Sequence, residues 1–398
     1  MTATAALTLT WDDVPWKSDA SQRLSRTQRA RITSTYKAAV PADIATMTFA
    51  IDAQVAAEAD DARDAIARFD AELSMMFPDG EFAPLSSVLL RTESASSSQI
   101  ENITAGARAL ALAEIGIAKH GSNATLVAAN VDAMNRAVAL ADKVTPDTIL
   151  DIHEALMRGQ DHANPGRFRD EQVWVGASPT PHGAMFVPPH HDRVRASIDD
   201  LCAFTARTDI PLLTQAALAH AQFETIHPFN DGNGRTGRAL VHALLKGGGA
   251  TTQTTLPVSA GLLNDTDAYF DALTAYRQGD PSPIVERFAQ ASFSAVDNGR
   301  LLAKDLNTAH QDWTARLTMR RHAVVWRVLP VLISQPAITS ALIQDHTNVS
   351  QPAADNAIRQ LMEAGIVEKA SGIQRNIVYL AKDVITALDE FAARARRG

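Results

Sequence analysis

The chain has 398 residues, of which 46% are apolar and 21% charged, and a formal net charge of −8. These values are ordinary for a globular protein of two or three domains, and the negative charge argues against a protein that coats nucleic acid generally. A single cysteine, Cys202, excludes an intrachain disulfide and fits a reducing cytoplasm, and we expect neither a signal peptide nor a membrane span.

The first third of the chain is predicted to be an arm followed by helices. Residues 1–41 show no clear periodicity, so we expect an irregular, extended arm that packs on the body. Apolar residues at helical spacing predict a long helix over 42–73, with a turn at 77–80. The serine-rich residues 85–103 favour a polar loop or a helix end, because serine competes for backbone hydrogen bonds. Further helices are predicted over 107–119, 124–144 and 148–157.

Two short strands are predicted on either side of a proline-rich turn. Residues 173–177 and 184–187 flank residues 178–183, which is the best hairpin signal in the chain. The next segment, Pro188-Pro-His-His-Asp192, is explained by a helix start with Asp192 as its cap, and metal binding is the less common alternative for such a cluster.

The most informative stretch is His227-Pro-Phe-Asn-Asp-Gly-Asn-Gly-Arg-Thr-Gly-Arg238, between the apolar helical patterns of residues 213–223 and 239–245. The first N–H groups of a helix lack partners within the helix and carry the positive end of its dipole. Gly232 and Gly234 have no side chains to keep phosphate oxygens away from those groups. Asp231 is a hard oxygen ligand that suits Mg²⁺ held partly by phosphate.

Three other side chains of this stretch fit the same chemistry. Arg235 and Arg238 are three residues apart, so they lie on one helix face and can contact further phosphate oxygens. His227 precedes the loop and can accept a proton near neutral pH. The stretch therefore predicts a base beside a metal-bound polyphosphate, although a glycine-rich turn with solvated arginines explains each feature taken alone.

The pattern His227-Pro-Phe-x-Asp-Gly-Asn-Gly-Arg-x-x-Arg238 resembles the signature of the Fic (Fido) family at every position. The resemblance implies a mainly α-helical core with a β-hairpin flap, here residues 173–187, beside the active site. It also implies transfer of AMP from ATP, with Mg²⁺, to a Ser, Thr or Tyr hydroxyl of a target protein bound along the flap. Within enzymes, the same fold also moves other phosphate-containing groups or removes AMP.

The resemblance assigns roles to particular residues. His227 and Asn233 would be catalytic, and Asp231 would bind the metal. The nucleotide would be bound by Gly232, Asn233, Gly234, Arg235, Thr236, Gly237 and Arg238, and its adenine by Asn264, Tyr269 and Phe270, although one of the two aromatic residues is expected in the core.

Ser97-x-x-x-Glu101-Asn102 resembles the inhibitory motif of one Fic subgroup. The resemblance implies that Glu101 pairs with Arg238 and occupies the space of the ATP γ-phosphate. Many family members carry glycine at the position of Asn102.

The C-terminal region is predicted to be a winged helix-turn-helix domain. A long helix over 283–306 and a charged connector over 309–321 precede two helices and two short strands, 366–369 and 376–380. Residues 314–398 hold 11 Lys and Arg against 7 Asp and Glu. The helix 353–364, however, carries Asp355 and Glu363 beside Arg359, and this arrangement offers little positive charge for contacts in a DNA groove.

We therefore expect three domains: an N-terminal helical region (1–120), a catalytic domain (121–308) and the winged helix (309–398). The alternative function is a winged-helix DNA-binding regulator whose Fic domain senses nucleotide. DNA binding is the less favoured of these readings, and the sequence leaves a homodimer open.

Overall fold

The protein is mainly α-helical in a computed structural model, which describes residues 7–17, 24–76, 83–141, 143–370 and 377–397. The strands are Thr10–Pro15 (β1), Thr35–Val40 (β2), Ala337–Ile338 (β3), Glu368–Lys369 (β4) and Tyr379–Leu380 (β5). The helices are Arg26–Ala30 (α1), Ala53–Met76 (α2), Ala83–Ile100 (α3), Ala107–Glu114 (α4), Asn123–Ala139 (α5), Pro146–Met157 (α6), His191–Thr205 (α7), Leu212–Ile226 (α8), Asn233–Gly247 (α9), Val258–Leu263 (α10), Thr266–Arg277 (α11), Ser282–Arg316 (α12), Val324–Ser334 (α13), Ser340–Thr347 (α14), Gln351–Glu363 (α15) and Lys382–Arg394 (α16). None of the helices in the described ranges combines the length and the apolar character needed to cross a membrane.

Two compact units make up the chain. The first contains residues 1–61, 133–248 and 267–289, and the second contains residues 62–132, 249–266 and 290–398. The three-domain division expected from the sequence stays a prediction.

Helix α8 forms the centre of the first unit. Its residues from Leu213 to Ile226 are all buried, and it packs against α7 on one side and α9 on the other. Helices α8 and α9 approach each other closely at Gly237. A larger residue would not fit there, because its Cβ atom would lie 2.9 Å from Phe223 Cδ1 and 3.1 Å from His220 Nδ1. The chain therefore leaves α8 and enters α9 through a short, tightly held loop.

The irregular N-terminal arm expected from the sequence is wrong, because β1 and β2 form an antiparallel hairpin with Thr10 opposite Val40. The hairpin depends on contacts far away in the sequence: the Ala39 N–H donates to the Val187 carbonyl at 3.0 Å. The Trp16 ring also makes edge contacts with the rings of Trp174 and His182. The strand propensity of residues 10–15 does not predict β1, because contacts with residues far away in the sequence stabilise this strand.

The helix expected over 42–73 begins later, at Ala53. The N–H groups of Ile44 and Ala45 donate to the Asp200 carboxylate instead of entering a helix. The Asp52 side chain accepts from the Gln54 N–H at 2.8 Å and so marks the helix start. The turn expected at 77–80 lies outside the described residues.

The flap segment is less regular than expected. Strand pairing between 173–177 and 184–187 is limited to one bridge, Val175 with Phe186, and residues 181–183 form a 3₁₀ turn. Proline lacks an N–H group to donate to a ladder, and prolines lie at 179, 181, 188 and 189. The expected two-stranded hairpin is therefore reduced to a bridged loop. After it, α7 is capped by His190, whose side chain accepts from the Asp192 N–H, and not by Asp192.

In the second unit, the serine-rich stretch forms helix α3, so the favoured polar loop is wrong. Its hydroxyls are buried with partners: Ser94 Oγ donates to the Leu90 carbonyl at 2.9 Å. Asn130 Nδ2 donates to the Ser94 carbonyl at 2.8 Å. The buried Glu93 carboxylate accepts from the N–H and the hydroxyl of Ser259. Polar residues fit a buried helix here because each finds a partner.

The charged connector expected over 309–321 is also partly wrong, because α12 continues to Arg316. Trp313 is fully buried in this last part of the helix, and its indole Nε1 donates to Asp383 Oδ2 at 2.7 Å. A single buried tryptophan within a charged segment gives little periodic signal.

The C-terminal elements follow the order helix, strand, two helices, two strands and a last helix, α16. The strands form an antiparallel sheet in the order β3-β5-β4, and β4 and β5 are shorter than expected. Residues 371–376, with the connection through Gly372 and the start of the second expected strand, lie outside the described residues. The winged-helix assignment stays a prediction.

Candidate active site

His227 ends helix α8 in the left-handed backbone conformation, with φ 50° and ψ 62°. Its N–H still donates to the Phe223 carbonyl, at 2.8 Å. The residue thus acts as a helix cap that turns the chain sharply, a position that usually holds glycine or asparagine.

The loop after His227 is fastened to the start of α9. Asn233 Oδ1 accepts from the Phe229 N–H at 2.9 Å, and Asn233 Nδ2 donates to the Phe229 carbonyl at 2.8 Å. The Phe229 ring is fully buried and stacks on His153, with ring centroids 3.6 Å apart. The amide expected to act on the substrate is therefore bound to the loop backbone through both of its polar atoms.

His153 is a site residue that the sequence did not reveal. Its Nδ1 accepts from the Gly166 N–H at 3.1 Å, so the ring proton lies on Nε2, which donates to the Asp231 carbonyl at 3.1 Å. Burial lowers the pKa of His153 to about 4, so the ring stays neutral and keeps this tautomer. The residue lies within a correctly predicted helical segment, whose periodicity does not mark it out from the core.

The anion cradle predicted from the sequence would lie at the N-terminus of α9. Gly232 is its N-cap with φ 76°, and a Cβ atom there would lie 2.9 Å from Met157 Sδ and 3.0 Å from Leu156 Cδ2. Both the backbone conformation and the space require glycine. The first N–H groups of the helix, from Asn233 onward, are those that phosphate oxygens can reach.

Asp231 is the metal-ligand candidate at the edge of this cradle. Its side chain is 47% exposed, Oδ1 accepts from the Gly232 N–H at 2.6 Å, and Arg235 Nη2 lies 3.4 Å from the same oxygen. His162 Nε2 lies 3.8 Å from Oδ2. One accessible carboxylate fits Mg²⁺, which completes its octahedron with phosphate oxygens and water.

The later residues of the motif divide between the cradle and the interior. Arg235 and Arg238 are both buried, with 2% and 3% of their surface exposed. The Thr236 side chain is buried and its N–H donates to the Gly232 carbonyl at 3.0 Å, while Gly237 faces α8. The assignment of Thr236 and Gly237 to the nucleotide-binding residues stays a prediction.

Charged groups surround the His227 imidazole. Its Nδ1 lies 3.8 Å from Glu224 Oε2 on α8. Two positive charges also act on the ring, Arg277 on α11 and Arg169 in the loop between α6 and α7. Burial, together with the positive charges of Arg277 and Arg169, lowers the pKa of His227 to about 3. The ring is therefore neutral and able to accept a proton.

The three residues expected around adenine are in different environments. Tyr269 is buried, and its hydroxyl lies 2.7 Å from Nε2 of the core residue His220. Phe270, next to it on α11, is 47% exposed, so it is the aromatic residue left to contact a ligand. Asn264 follows α10 as its C-cap, in the second unit.

The inhibitory-motif residues lie at the end of α3 in the second unit. Ser97 is fully buried within the helix, and the Glu101 N–H donates to the Ser98 carbonyl in the turn that follows. Asn102 has φ 63°, a conformation that glycine and asparagine adopt most easily. Asparagine therefore fits the backbone at this position.

Comparisons with known proteins agree on the identity of this region. Residues 143–245 match the model of the Fic/DOC family, and residues 56–139 match the model of the Fic/DOC family N-terminal region. Protein adenylyltransferase fic-1 of Caenorhabditis elegans is 30% identical over 159 residues, which cover 39% of this chain and 28% of that protein. Protein adenylyltransferase Fic of Aedes aegypti is 31% identical over 176 residues, which cover 44% and 31%.

The fold has a relative among solved structures. A Fic family protein from Desulfovibrio desulfuricans superposes with a TM-score of 0.55 at 23% identity, over 84% of this chain and 97% of that one. The chain spans about a third of the length of the curated relatives that it matches.

Proposed function

We propose that this chain, which belongs to the Fic/DOC family, is a protein adenylyltransferase that transfers AMP from ATP to a hydroxyl side chain of a target protein. The observation that carries the proposal is the short loop between α8 and α9. Within twelve residues it presents a neutral imidazole, an exposed carboxylate and the N-terminus of a 15-residue helix. Relatives named protein adenylyltransferase are 30% and 31% identical to this chain, over 159 and 176 residues.

The α9 N-terminus binds the triphosphate in this account. The N–H groups of Asn233, Gly234 and Arg235 and the positive end of the helix dipole face negative oxygens, and the guanidinium groups of Arg235 and Arg238 add charge. Mg²⁺ bound at Asp231 would neutralise part of the charge that develops on the phosphates.

His227 acts as the general base. It removes the proton from the target hydroxyl as the hydroxyl oxygen forms a bond with the α-phosphorus. The bond from the α-phosphorus to the bridging oxygen breaks, and pyrophosphate leaves with that electron pair. The nearby triphosphate raises the pKa of His227 from its low value, because negative charge favours the protonated imidazole.

Asn233 supports the reaction by position. Its amide is occupied with Phe229, so it keeps the loop in place while its N–H group belongs to the cradle. The half-exposed ring of Phe270 supports a role as the adenine contact, and Tyr269 supports that ring from behind with a centroid distance of 5.1 Å.

The bridged loop at 173–187 is the proposed holding surface for the target. The Val187 carbonyl is already used by Ala39 of the N-terminal hairpin. An extended target segment would therefore pair on the side of residues 174–178, where main-chain bonds set its register.

We propose that the C-terminal elements form a winged helix that contacts protein. On α15, Arg359 lies beside Asn356 and 3.9 Å from Glu363 Oε1, so its charge is partly compensated on its own helix. A gel-shift titration with genomic fragments should show no binding at physiological salt, and tight, sequence-dependent binding would favour the DNA-regulator alternative.

Labelled ATP tests the proposed activity. The chain incubated with ATP and Mg²⁺ should gain label from α-phosphate-labelled ATP but not from γ-phosphate-labelled ATP. His227→Ala should lower the rate by about 10²–10⁴-fold, because the base is lost. Equal labelling from both positions would show a different transfer, and unchanged labelling in His227→Ala would reject the proposed base.

A further inference from the structure

Arg169 connects three segments of the first unit through a buried guanidinium group. Its backbone N–H donates to the Pro228 carbonyl at 2.9 Å and its Nε donates to the His227 carbonyl at 2.9 Å. Nη1 donates to the Glu171 carbonyl at 2.9 Å, and Nη2 donates to the Pro189 carbonyl. The residue is only 3% exposed. Each nitrogen of the Arg169 side chain therefore donates to a main-chain carbonyl.

Burying a guanidinium group among carbonyl groups costs free energy of folding. Such a cost is expected where the group has to hold other residues in position. A buried charge loses its hydration, and carbonyl dipoles compensate this loss less completely than a carboxylate would. Burial lowers the pKa of Arg169 to about 10, but the group remains charged near neutral pH. A planar fork with fixed donors can hold several carbonyls at defined distances and angles, which the flexible ammonium of lysine cannot.

The first consequence concerns the shape of the backbone at the base. His227 has a left-handed conformation that is strained for a residue with a Cβ atom. Arg169 binds the carbonyls of His227 and of the next residue, Pro228, so it fixes the peptide plane between them. The direction of the imidazole follows from that plane.

The second consequence concerns the flap. The Pro189 carbonyl lies at the end of the flap segment, and the neighbouring Pro188 carbonyl accepts from Gln172 Nε2 at 3.0 Å. The guanidinium that fixes His227 therefore also fixes the end of the segment proposed to hold the target hydroxyl. A displacement of about 1 Å between such groups can lower a rate about 10²-fold.

We propose that Arg169 is a positioning residue of the transfer reaction, which holds the His227 carbonyl and the end of the flap at a fixed separation. This inference rests on the proposed function. Arg169 touches neither nucleotide nor metal in this account, so its loss changes the chemical step and leaves ATP binding in place.

Two substitutions separate geometry from charge. Arg169→Lys keeps the charge but loses the fork, so kcat for autoadenylylation should fall about 10–100-fold while KM for ATP stays within about twofold. Arg169→Met also removes a positive charge near His227, which is faced by Glu224 from α8 and by Arg277 from α11. The acidic limb of its pH–rate profile should move to higher pH, because the imidazole becomes easier to protonate.

Arg167→Met is the matched control, since Arg167 is an exposed arginine in the same loop. It should leave kcat and the acidic limb unchanged. Circular dichroism melts of all variants exclude global unfolding as the cause of a loss. A kcat in Arg169→Lys within twofold of the unaltered chain would overturn the proposal, as would a uniform loss in Arg169→Met with no displacement of the limb.

A readout independent of activity separates this inference from the proposed function. An NMR titration of labelled histidine follows the His227 imidazole directly, and its pKa should rise in Arg169→Met relative to Arg167→Met. If the unaltered chain transfers no AMP, the proposed function fails while the titration still reports on Arg169. An unchanged His227 titration would contradict the placement of the two groups.

Discussion

At the scale of single residues, His227 combines a strained backbone with a neutral side chain. The left-handed conformation at the end of α8 turns the chain from the helix into the loop. Burial keeps the ring unprotonated, so it can accept a proton before any conformational change. Both properties come from surroundings that the sequence does not bring together: Arg169 lies 58 positions before His227.

The proposed metal-ligand role of Asp231 predicts the effect of a conservative substitution. Asp231→Asn keeps an oxygen that can accept the Gly232 N–H, but it removes the negative charge. The Mg²⁺ concentration for half-maximal AMP transfer should rise about tenfold or more, since the loss of about 1.4 kcal/mol of metal binding is enough for that. A titration of Mg²⁺ at saturating ATP measures the shift. An unchanged midpoint would place the metal elsewhere.

His153 predicts part of the acid sensitivity of the fold. Its pKa is lowered from 6.5 to about 4, so the unfolded chain binds more protons and stability falls as pH drops below 6.5. Between pH 7 and pH 5 this group should cost about 2 kcal/mol of unfolding free energy. The unfolding free energy lost between the two pH values, measured by urea titration, should be smaller by that amount in His153→Gln than in the unaltered chain. The same pH dependence in both proteins would contradict the assignment.

At the scale of elements, the contact of α8 with α9 determines where the cradle lies. Gly237 faces Phe223 and His220 at distances that leave no room for a methyl group. The glycine therefore has a packing role, beyond any contact with nucleotide, and it determines how deeply α9 sits against α8.

Gly237→Ala should destabilise the protein by about 1–3 kcal/mol, because overpacking outweighs the gain in helix propensity. Gly106→Ala is the control, since no atom lies within 4 Å of a Cβ atom at that position, and it should change stability by less than about 1 kcal/mol. Urea denaturation measures both. A Gly237→Ala protein as stable as the control would show that the two helices separate easily.

The elements also show which parts of the molecule the sequence could predict. The helices on both sides of the motif were predictable, because their signals lie within a short stretch. The N-terminal hairpin, the reduced flap and the start of α2 were not, because each depends on a distant partner such as Val187 or Asp200. The hydrogen bonds that engage the side chains of Asn233 and Tyr269 with Phe229 and His220 were not predictable either, because no sequence pattern marks them.

At the scale of the whole molecule, we propose that the end of α3 restrains the active site. Glu101 would pair with Arg238 and compete with the γ-phosphate, as the resemblance of its motif implies. The pair itself adds little net stability, because desolvation of both groups offsets their attraction. Its effect would be to exclude the productive binding of ATP.

Glu101→Gly should therefore raise autoadenylylation, by about tenfold if about 1.4 kcal/mol of competition is removed. Glu114→Gly offers a matched control, because Glu114 pairs with Arg91 within the second unit and has no proposed role at the nucleotide. The two variants are compared by the initial rate of label incorporation from ATP. Equal rates in the Glu101→Gly variant and the unaltered chain would remove the proposed restraint.

The most direct test of the central claim is a crystal structure of the doubly substituted Glu101→Gly, His227→Ala protein with ATP and Mg²⁺, in which the proposed restraint is removed and the substrate cannot turn over. The account predicts the triphosphate at the N-terminus of α9, with oxygens within hydrogen-bond distance of the N–H groups of residues 233–235 and the α-phosphate beside position 227. A nucleotide bound elsewhere, with those N–H groups in contact with protein alone, would contradict it.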